Sequence, residues 1–292
     1  MRVGTVERKS KGPDKYLMLK KSKKLLFSVP NFEKDDPRHK CMYRSRNPAL
    51  SDSTFDKSAY KEAPWWDDQE SNLMSMEGTT EKTGILLVII ATTAIGTAMF
   101  MPEAGVMALI GVIAGFILAM IIIFSGSTNP VLICTYSICQ GLFLGGVTWF
   151  YEQYFPGIGI LAVVLTLGIL GAMLTIYRAG LISWSKNLQI AVYSSLLAIF
   201  TIYLVSFIGF FLGFKVPYIH EASPIGIVFS IFVIGIASLC LVADFDFIER
   251  GVERGAPKQL EWRAAFGLMV TLIWLYLEIL ELLAKLAIYS KR

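Results

Sequence analysis

Charged and metal-ligating residues are scarce in this chain of 292 amino acids. Only 17% of the residues are Asp, Glu, Lys or Arg, and there are just two histidines. Soluble globular proteins usually carry about 25% charged residues. Both histidines, His39 and His220, lie in polar segments, and no Gly-rich nucleotide loop, His-Glu-x-x-His motif or nucleophile elbow is present. We therefore expect neither an enzymatic activity nor a cofactor.

The four cysteines form no recognisable metal or disulfide pattern. Cys134, Cys139 and Cys240 lie within apolar segments, and Cys41 lies in a polar region. No spacing among them matches a zinc site. Because a buried cysteine usually packs as a small apolar side chain, we expect a packing role.

Long apolar segments are abundant. Hydrophobic residues make up 54% of the sequence, and a membrane-spanning helix needs about 20 of them in succession. The sequence therefore predicts an all-α integral membrane protein with seven transmembrane helices. The first two are separated by only three residues, which predicts a tight helical hairpin. The predicted spans are Gly84–Met101, Gly105–Phe124, Pro130–Tyr151, Gly157–Tyr177, Leu188–Phe214, Ser223–Phe245 and Ala264–Tyr289.

A polar, basic leader at residues 1–82 precedes the membrane domain at residues 83–292. It holds 17 of the 27 basic residues and no sustained apolar period, which predicts a mostly disordered cytoplasmic segment without a secretory signal. Met42 opens a more ordinary start, so residues 1–41 are a candidate over-extension of the gene. At the other end of the leader, Thr79 and Thr80 are the expected cap of the first helix.

The loops predict the orientation. With the amino end in the cytoplasm, the inward loops hold six basic residues, whereas the outward loops hold only Lys215. This distribution follows the positive-inside rule. Seven spans place the carboxyl end outside, while six spans and a re-entrant last segment would return it to the cytoplasm; both remain open. The inward loops are residues 125–129, 178–187 and 246–263.

Small and polar residues within the spans predict helix contacts. Two Gly-x-x-x-Gly pairs begin at Gly111 and Gly141, a spacing that allows two helices to approach closely. Tyr136 and Gln140 share one face of the third span because they are four residues apart. We expect each to bond to a neighbouring helix, with a pore-lining role as the alternative.

Carboxylates inside the predicted spans are candidates for an ion pathway. Asp244 ends a run that is free of charge from Pro224, and Asp246 follows in the predicted loop. Glu278 lies deep in the last span, where an ionised carboxylate is costly and must face protein or water. Glu281 lies one turn further, four residues before Lys285, which predicts an ion pair.

We predict that Asp244 and Glu278 lie within reach of one another, directly or through water. Two neighbouring carboxylates can share a proton, and their oxygens are the ligands that hard cations prefer. Such a pair would couple pH to ion passage. No metal site is expected beyond transient Ca²⁺ at Asp244 and Glu278.

Two motifs carry a family resemblance. The run Leu-Val-Ala-Asp-Phe-Asp-Phe-Ile-Glu at 241–249 and the run Leu-Ile-Trp-Leu-Tyr-Leu-Glu-Ile-Leu-Glu at 272–281 resemble the last two helices of the Bax inhibitor (YccA-like) family. Arg46-Asn-Pro-Ala-Leu50 and the segment from Gln140 to Gly145 are similar to its large bacterial branch. The resemblance extends over about residues 42–289.

The resemblance implies six helices around a central seventh, and a pH-sensitive calcium leak. It gives one gating role to Asp244 or Asp246 and the other to Glu278. The sequence departs from the family pattern in three places: Glu278 replaces the usual Asp, Gln140 stands where relatives often carry Glu, and the second span lacks the basic residue that latches the acids.

We therefore expect a carboxylate-gated, calcium-permeable channel in a bacterial inner membrane, in contact with lipid and not with nucleic acid. The alternative is a membrane interaction protein that regulates a partner such as a membrane protease. In that case the leader would be the contact arm and the acids would be structural.

Overall fold

The computed structural model describes residues 72–100, 104–213 and 221–291, and seven long helices lie in these ranges. Each is long and apolar enough to cross a bilayer, which confirms the all-α, seven-helix prediction. The leader up to residue 71, with its predicted disorder, lies outside the described residues. The helices are α1 Met76–Phe100, α2 Ala104–Ser125, α3 Pro130–Glu152, α4 Ile158–Arg178, α5 Lys186–Leu212, α6 Pro224–Glu253 and α7 Leu260–Ser290.

The first helix begins earlier than Thr79, so the predicted cap is wrong. Ser75 supplies the capping oxygen, since its Oγ accepts a 2.9 Å hydrogen bond from the Gly78 N–H. The hydroxyls of Thr79 and Thr80 instead donate to the carbonyls of Ser75 and Met76. Ser, like Thr, is a favoured capping residue, and sequence alone did not decide between these hydroxyls.

Helix α6 continues past the predicted end of its span. It runs to Glu253, so Asp246 and Glu249 lie on the helix and not in a loop. The Asp246 and Arg250 side chains form an ion pair at 2.6 Å, one turn apart, and such pairs favour helix. Hydropathy marks the edge of the hydrocarbon layer, whereas a helix ends only where its backbone turns. Here that turn is at Gly255, whose φ is +65°.

Helix α7 occupies the centre of the bundle. In its most apolar stretch 67% of the residues are buried, against 11–39% in the other six helices. It packs against α1, α3, α4 and α6, as the resemblance implies. It is also continuous over 31 residues, or roughly 46 Å, which exceeds the hydrocarbon thickness of about 30 Å. A continuous helix of this length favours seven full spans over the re-entrant alternative.

Glycines let α3 approach both α1 and α2 closely. A Cβ on Gly111 would lie 2.5 Å from the Cys139 carbonyl oxygen of α3. A Cβ on Gly145 would lie 2.5 Å from the Ala94 carbonyl oxygen of α1. The two Gly-x-x-x-Gly pairs are thus packing faces, as predicted. Both α1 and α2 pack mainly against α3 and little against each other, so they do not form the expected tight hairpin. Their connection at residues 101–103 lies outside the described part of the chain.

Candidate carboxylate site

Asp244 is a buried acid at the contact between α6 and α7. Only 4% of the residue is exposed, and its Oδ2 accepts a 2.6 Å hydrogen bond from the Thr271 hydroxyl of α7. This distance is typical of a hydroxyl bound to an ionised carboxylate. The bond fixes the position of Asp244 against the central helix.

Glu278 is the second buried acid, and it joins α7 to α5. It is 5% exposed, and its Oε1 accepts a 2.7 Å bond from the Tyr203 hydroxyl and a 2.9 Å bond from Trp274 Nε1. Tyr203 comes from α5, while Trp274 lies one turn earlier on α7 itself. A carboxylate placed deep in a span is thus given polar donors by its surroundings, as burial of charge requires.

The two acids lie along one side of the central helix. Thr271, Trp274 and Glu278 follow the spacing i, i+3, i+7, which places them on one face. Seven residues correspond to roughly 10 Å of helix rise. The three hydrogen bonds described above do not connect Asp244 with Glu278, so the expected approach of the two acids stays a prediction.

The predicted ion pair between Glu281 and Lys285 is confirmed. Their charged groups lie 2.8 Å apart. The Lys285 ammonium, although the residue is only 4% exposed, also donates to Ser230 Oγ of α6 at 2.8 Å. The pair borders a cavity of about 350 Å³, which is further lined by Tyr151, Ala222, Ala284 and Ile288.

Asp246 belongs to a different environment from Asp244. It is partly exposed, pairs with Arg250, and lines a cavity of about 460 Å³ together with Glu249. Glu249 accepts a hydrogen bond from the Tyr177 hydroxyl of α4. Of the two acids that the sequence left as alternatives, Asp244 accepts a side-chain hydrogen bond from α7.

Tyr136 and Gln140 make helix contacts. The Tyr136 ring is 3% exposed and meets the Phe266 ring of α7 edge to face, with centroids 4.9 Å apart. The Gln140 side chain lies over Gly115, where a Cβ would be 2.8 Å from its Nε2. These are the surroundings of packing residues between α3 and its neighbours, and the pore-lining alternative stays a prediction.

A charged cluster at the start of α7 is not predicted by the sequence, where Glu261 falls within the expected loop 246–263. Glu261 is fully buried and accepts hydrogen bonds from the Ser75 N–H at 2.8 Å and the Ser75 hydroxyl at 3.1 Å. It also pairs with the Lys82 ammonium of α1. The partners are 179 residues apart in sequence, so no local spacing in the sequence predicts the pair. The only hint is that Lys82 directly precedes an apolar span.

A resident metal centre is not evident in the part of the chain that the structure describes. Within residues 72–100, 104–213 and 221–291, no three His, Cys, Asp or Glu side chains gather closely enough to hold a metal ion. Asp244 and Glu278 belong to different helices, α6 and α7. Transient Ca²⁺ at Asp244 and Glu278 stays a prediction.

Comparison with known proteins identifies the family. No curated protein matches the chain. The family model described as Bax inhibitor 1 like matches residues 41–288, which include α1 to α6 and nearly all of α7. Both buried acids and their hydrogen-bond donors lie inside the match, and members of this family are generally non-enzymatic. The chain therefore belongs to the Bax inhibitor 1-like family of multi-pass integral membrane proteins.

Proposed function

We propose that the chain is a pH-sensitive, calcium-permeable leak channel gated by the carboxylates of Asp244 and Glu278. The observation that carries this proposal is the burial of both acids, at 4% and 5% exposure, with Asp244 against the central helix and Glu278 on it. Acids inside membrane spans are costly, and they commonly mark ion pathways or proton relays. Carboxylate oxygens are also the preferred ligands of Ca²⁺.

The hydrogen bonds to these acids suit a closed state of the proposed channel. Thr271 occupies an oxygen of Asp244, while Tyr203 and Trp274 occupy an oxygen of Glu278. A cation that passes must take the place of these donors. The donors therefore stabilise both charges while no ion is present, and they set an energetic barrier to ion entry.

Protonation of Glu278 would change the contact between α5 and α7. Hydrogen bonds to a charged acceptor are roughly twice as strong as those between neutral groups. A protonated Glu278 would hold Tyr203 less firmly, so α5 would move more easily relative to α7. In this way, pH shifts the populations of closed and open conformations.

Two further acids mark the ends of the proposed route. Asp246 lines the cavity near the carboxyl end of α6, and Glu281 lines the cavity near the carboxyl end of α7. Because consecutive membrane-spanning helices run in opposite directions, these cavities belong to opposite sides of the bilayer. With the amino end in the cytoplasm, Asp246 would face inward and Glu281 outward.

Calcium flux into dye-loaded proteoliposomes tests the proposal. The full chain would be compared with Asp244→Asn and Glu278→Gln at neutral and mildly acidic pH. We expect the wild type to conduct in a pH-dependent manner, and each amide to alter the flux severalfold and flatten its pH dependence, since neither amide titrates. Glu253→Gln is the matched control, because Glu253 is exposed at the end of the same helix, and it should behave like the wild type.

Folded wild-type protein that gives no flux above empty liposomes would overturn the channel. That result would favour the regulatory alternative, in which the acids tolerate amides and the leader makes the contact with the partner. A deletion that tests this alternative must stop at residue 71. Ser75 and Lys82 hold Glu261, and their loss would damage the fold itself.

A further inference from the structure

A polar cavity lies at the end of the bundle where α1 begins. It is an open depression of about 720 Å³, bordered by the start of α1, the loop between α2 and α3, and the turn between α6 and α7. This volume is in the range of small-ligand sites, roughly 300–1,000 Å³. No Asp or Glu is among its lining residues, all of which belong to the described ranges. The polar and aromatic side chains of its lining include Lys82, Lys258, Trp262, Ser127 and Thr128.

The charges around this cavity favour an anion. Lys258 lies at its wall and is exposed. The Lys82 ammonium lies 5.6 Å from the centroid of the Trp262 ring, and Glu261 balances its charge. Behind the loop, the buried Arg263 guanidinium lies against Gly126, where a Cβ would be 2.8 Å from its Nη1. Two lysines thus line the cavity, and a buried arginine lies behind its loop, while the carboxylate of Glu261 pairs with Lys82.

The cavity lies at the edge of the hydrocarbon layer. Its loop is flanked by two apolar residues, Phe124 at 84% and Val131 at 72% exposure. Large apolar side chains exposed on a membrane domain face lipid tails, so the loop between them meets the headgroup region. Trp262 on the cavity wall fits this depth, because tryptophan is enriched at the membrane interface.

We infer that this cavity binds the phosphate group of an anionic phospholipid. Lys258 would supply the main charge, and the Ser127 and Thr128 hydroxyls would supply hydrogen-bond donors. The amino end of α3, which begins at Pro130, adds the partial positive charge of a helix terminus. With the amino end of the chain inside, the cavity faces the cytoplasmic leaflet, where anionic lipids bind basic pockets between helices. The inference does not depend on the channel proposal.

Native mass spectrometry of the full chain, released from a neutral detergent, tests this site. Phosphatidylglycerol and phosphatidylcholine would be titrated separately, with inorganic phosphate and glycerol phosphate as soluble probes. We expect phosphatidylglycerol to bind most tightly. Lys258→Gln should weaken its binding about fivefold, which is the effect of one basic residue near an anionic lipid surface. Lys258→Arg should retain most of the affinity, and Thr128→Val should reduce it about twofold.

The matched control is Arg254→Gln, which removes an exposed basic residue at the same end of the bundle, outside the cavity. An equal loss in this control would mean that lipid follows general surface charge, and it would overturn the site. Phosphate or glycerol phosphate binding as tightly as phosphatidylglycerol would assign a soluble anion instead of a lipid. Unchanged binding in Lys258→Gln, with the protein shown to be folded by its thermal transition, would also refute the inference.

Discussion

Tyr203 and Trp274 give one oxygen of Glu278 two hydrogen bonds, although a hydropathy profile treats both as ordinary span residues. Charged donors or acceptors make strong hydrogen bonds. Measured hydrogen bonds between membrane helices nevertheless average only about 0.6 kcal/mol, with a maximum near 1.7. The Tyr203–Glu278 hydrogen bond joins different helices and has a carboxylate acceptor. We therefore expect its free energy to lie in the upper half of that range.

A double-mutant cycle measures this contact. We expect Tyr203→Phe and Glu278→Gln to show a coupling of about 1 kcal/mol in the free energy of unfolding in detergent. Either change alone already removes the hydrogen bond, so the double variant loses less than the sum of the two single variants. Tyr203→Phe combined with Glu253→Gln is the control pair and should be additive within about 0.5 kcal/mol. Additivity in the first pair would mean that the bond contributes nothing to stability.

At this scale the sequence predicts the acids better than their partners. Asp244 and Glu278 stand out because each interrupts or ends an apolar run. The Glu281–Lys285 pair follows from a spacing within one helix. Tyr203 lies 75 residues before Glu278, and its contact depends on how α5 is rotated against α7, which no local pattern determines.

At the scale of helices, two ion pairs of the chain contrast in burial. Glu261 has a side chain with 0% exposure, and its partner Lys82 is 14% exposed. The Asp246 and Arg250 side chains are 21% and 23% exposed and lie on one helix. Breaking a buried pair leaves an uncompensated charge and costs about 3–5 kcal/mol, whereas exposed pairs contribute about 0–1 kcal/mol.

We therefore expect Glu261→Gln to lower the free energy of unfolding by about 3 kcal/mol, because Lys82 is left without its counter-charge. Asp246→Asn, the matched neutralisation, should lower it by less than about 1 kcal/mol. Thermal or denaturant unfolding in detergent measures both. Adding Lys82→Met to Glu261→Gln should recover part of the loss. Equal losses of unfolding free energy in Glu261→Gln and Asp246→Asn would contradict the idea that burial makes the Glu261–Lys82 pair the stronger one.

The helix boundaries show why the element-level prediction was partly wrong. The existence and order of all seven spans followed from apolar length, since few other structures satisfy a backbone in lipid. The ends did not follow from it. Helix α6 continues to Glu253 through charged residues that favour helix, and α1 is capped by Ser75, which apolar length gives no reason to prefer.

At the scale of the whole molecule, the seven membrane-length helices of residues 72–291 predict that residues 72 and 291 lie on opposite sides of the membrane. This prediction depends on the continuous α7, because a re-entrant segment would return the tail to the starting side. The central position of α7 was implied by the family resemblance and not by composition. Its many buried residues and its mixture of acids and apolar side chains are consistent with a helix surrounded by protein.

Thiol labelling of intact cells tests the topology. In a background without the native cysteines, Lys291→Cys should react with an impermeant maleimide, because Lys291 is exposed at the carboxyl end of α7. Arg254→Cys, exposed in the turn between α6 and α7, should react only after permeabilisation. Labelling of both positions under the same condition would refute the arrangement.

The contact of Glu261 with Ser75 and Lys82 also constrains the order of biogenesis. The start of α1 is held by the beginning of α7, and the Met74 N–H donates to the Ala256 carbonyl just before α7. A ribosome completes α1 long before it makes α7. Five helices are therefore synthesised between Lys82 and its counter-charge, Glu261. The bundle closes only when the last helix joins the first. An unfinished chain therefore carries a lysine whose counter-charge has not yet been synthesised.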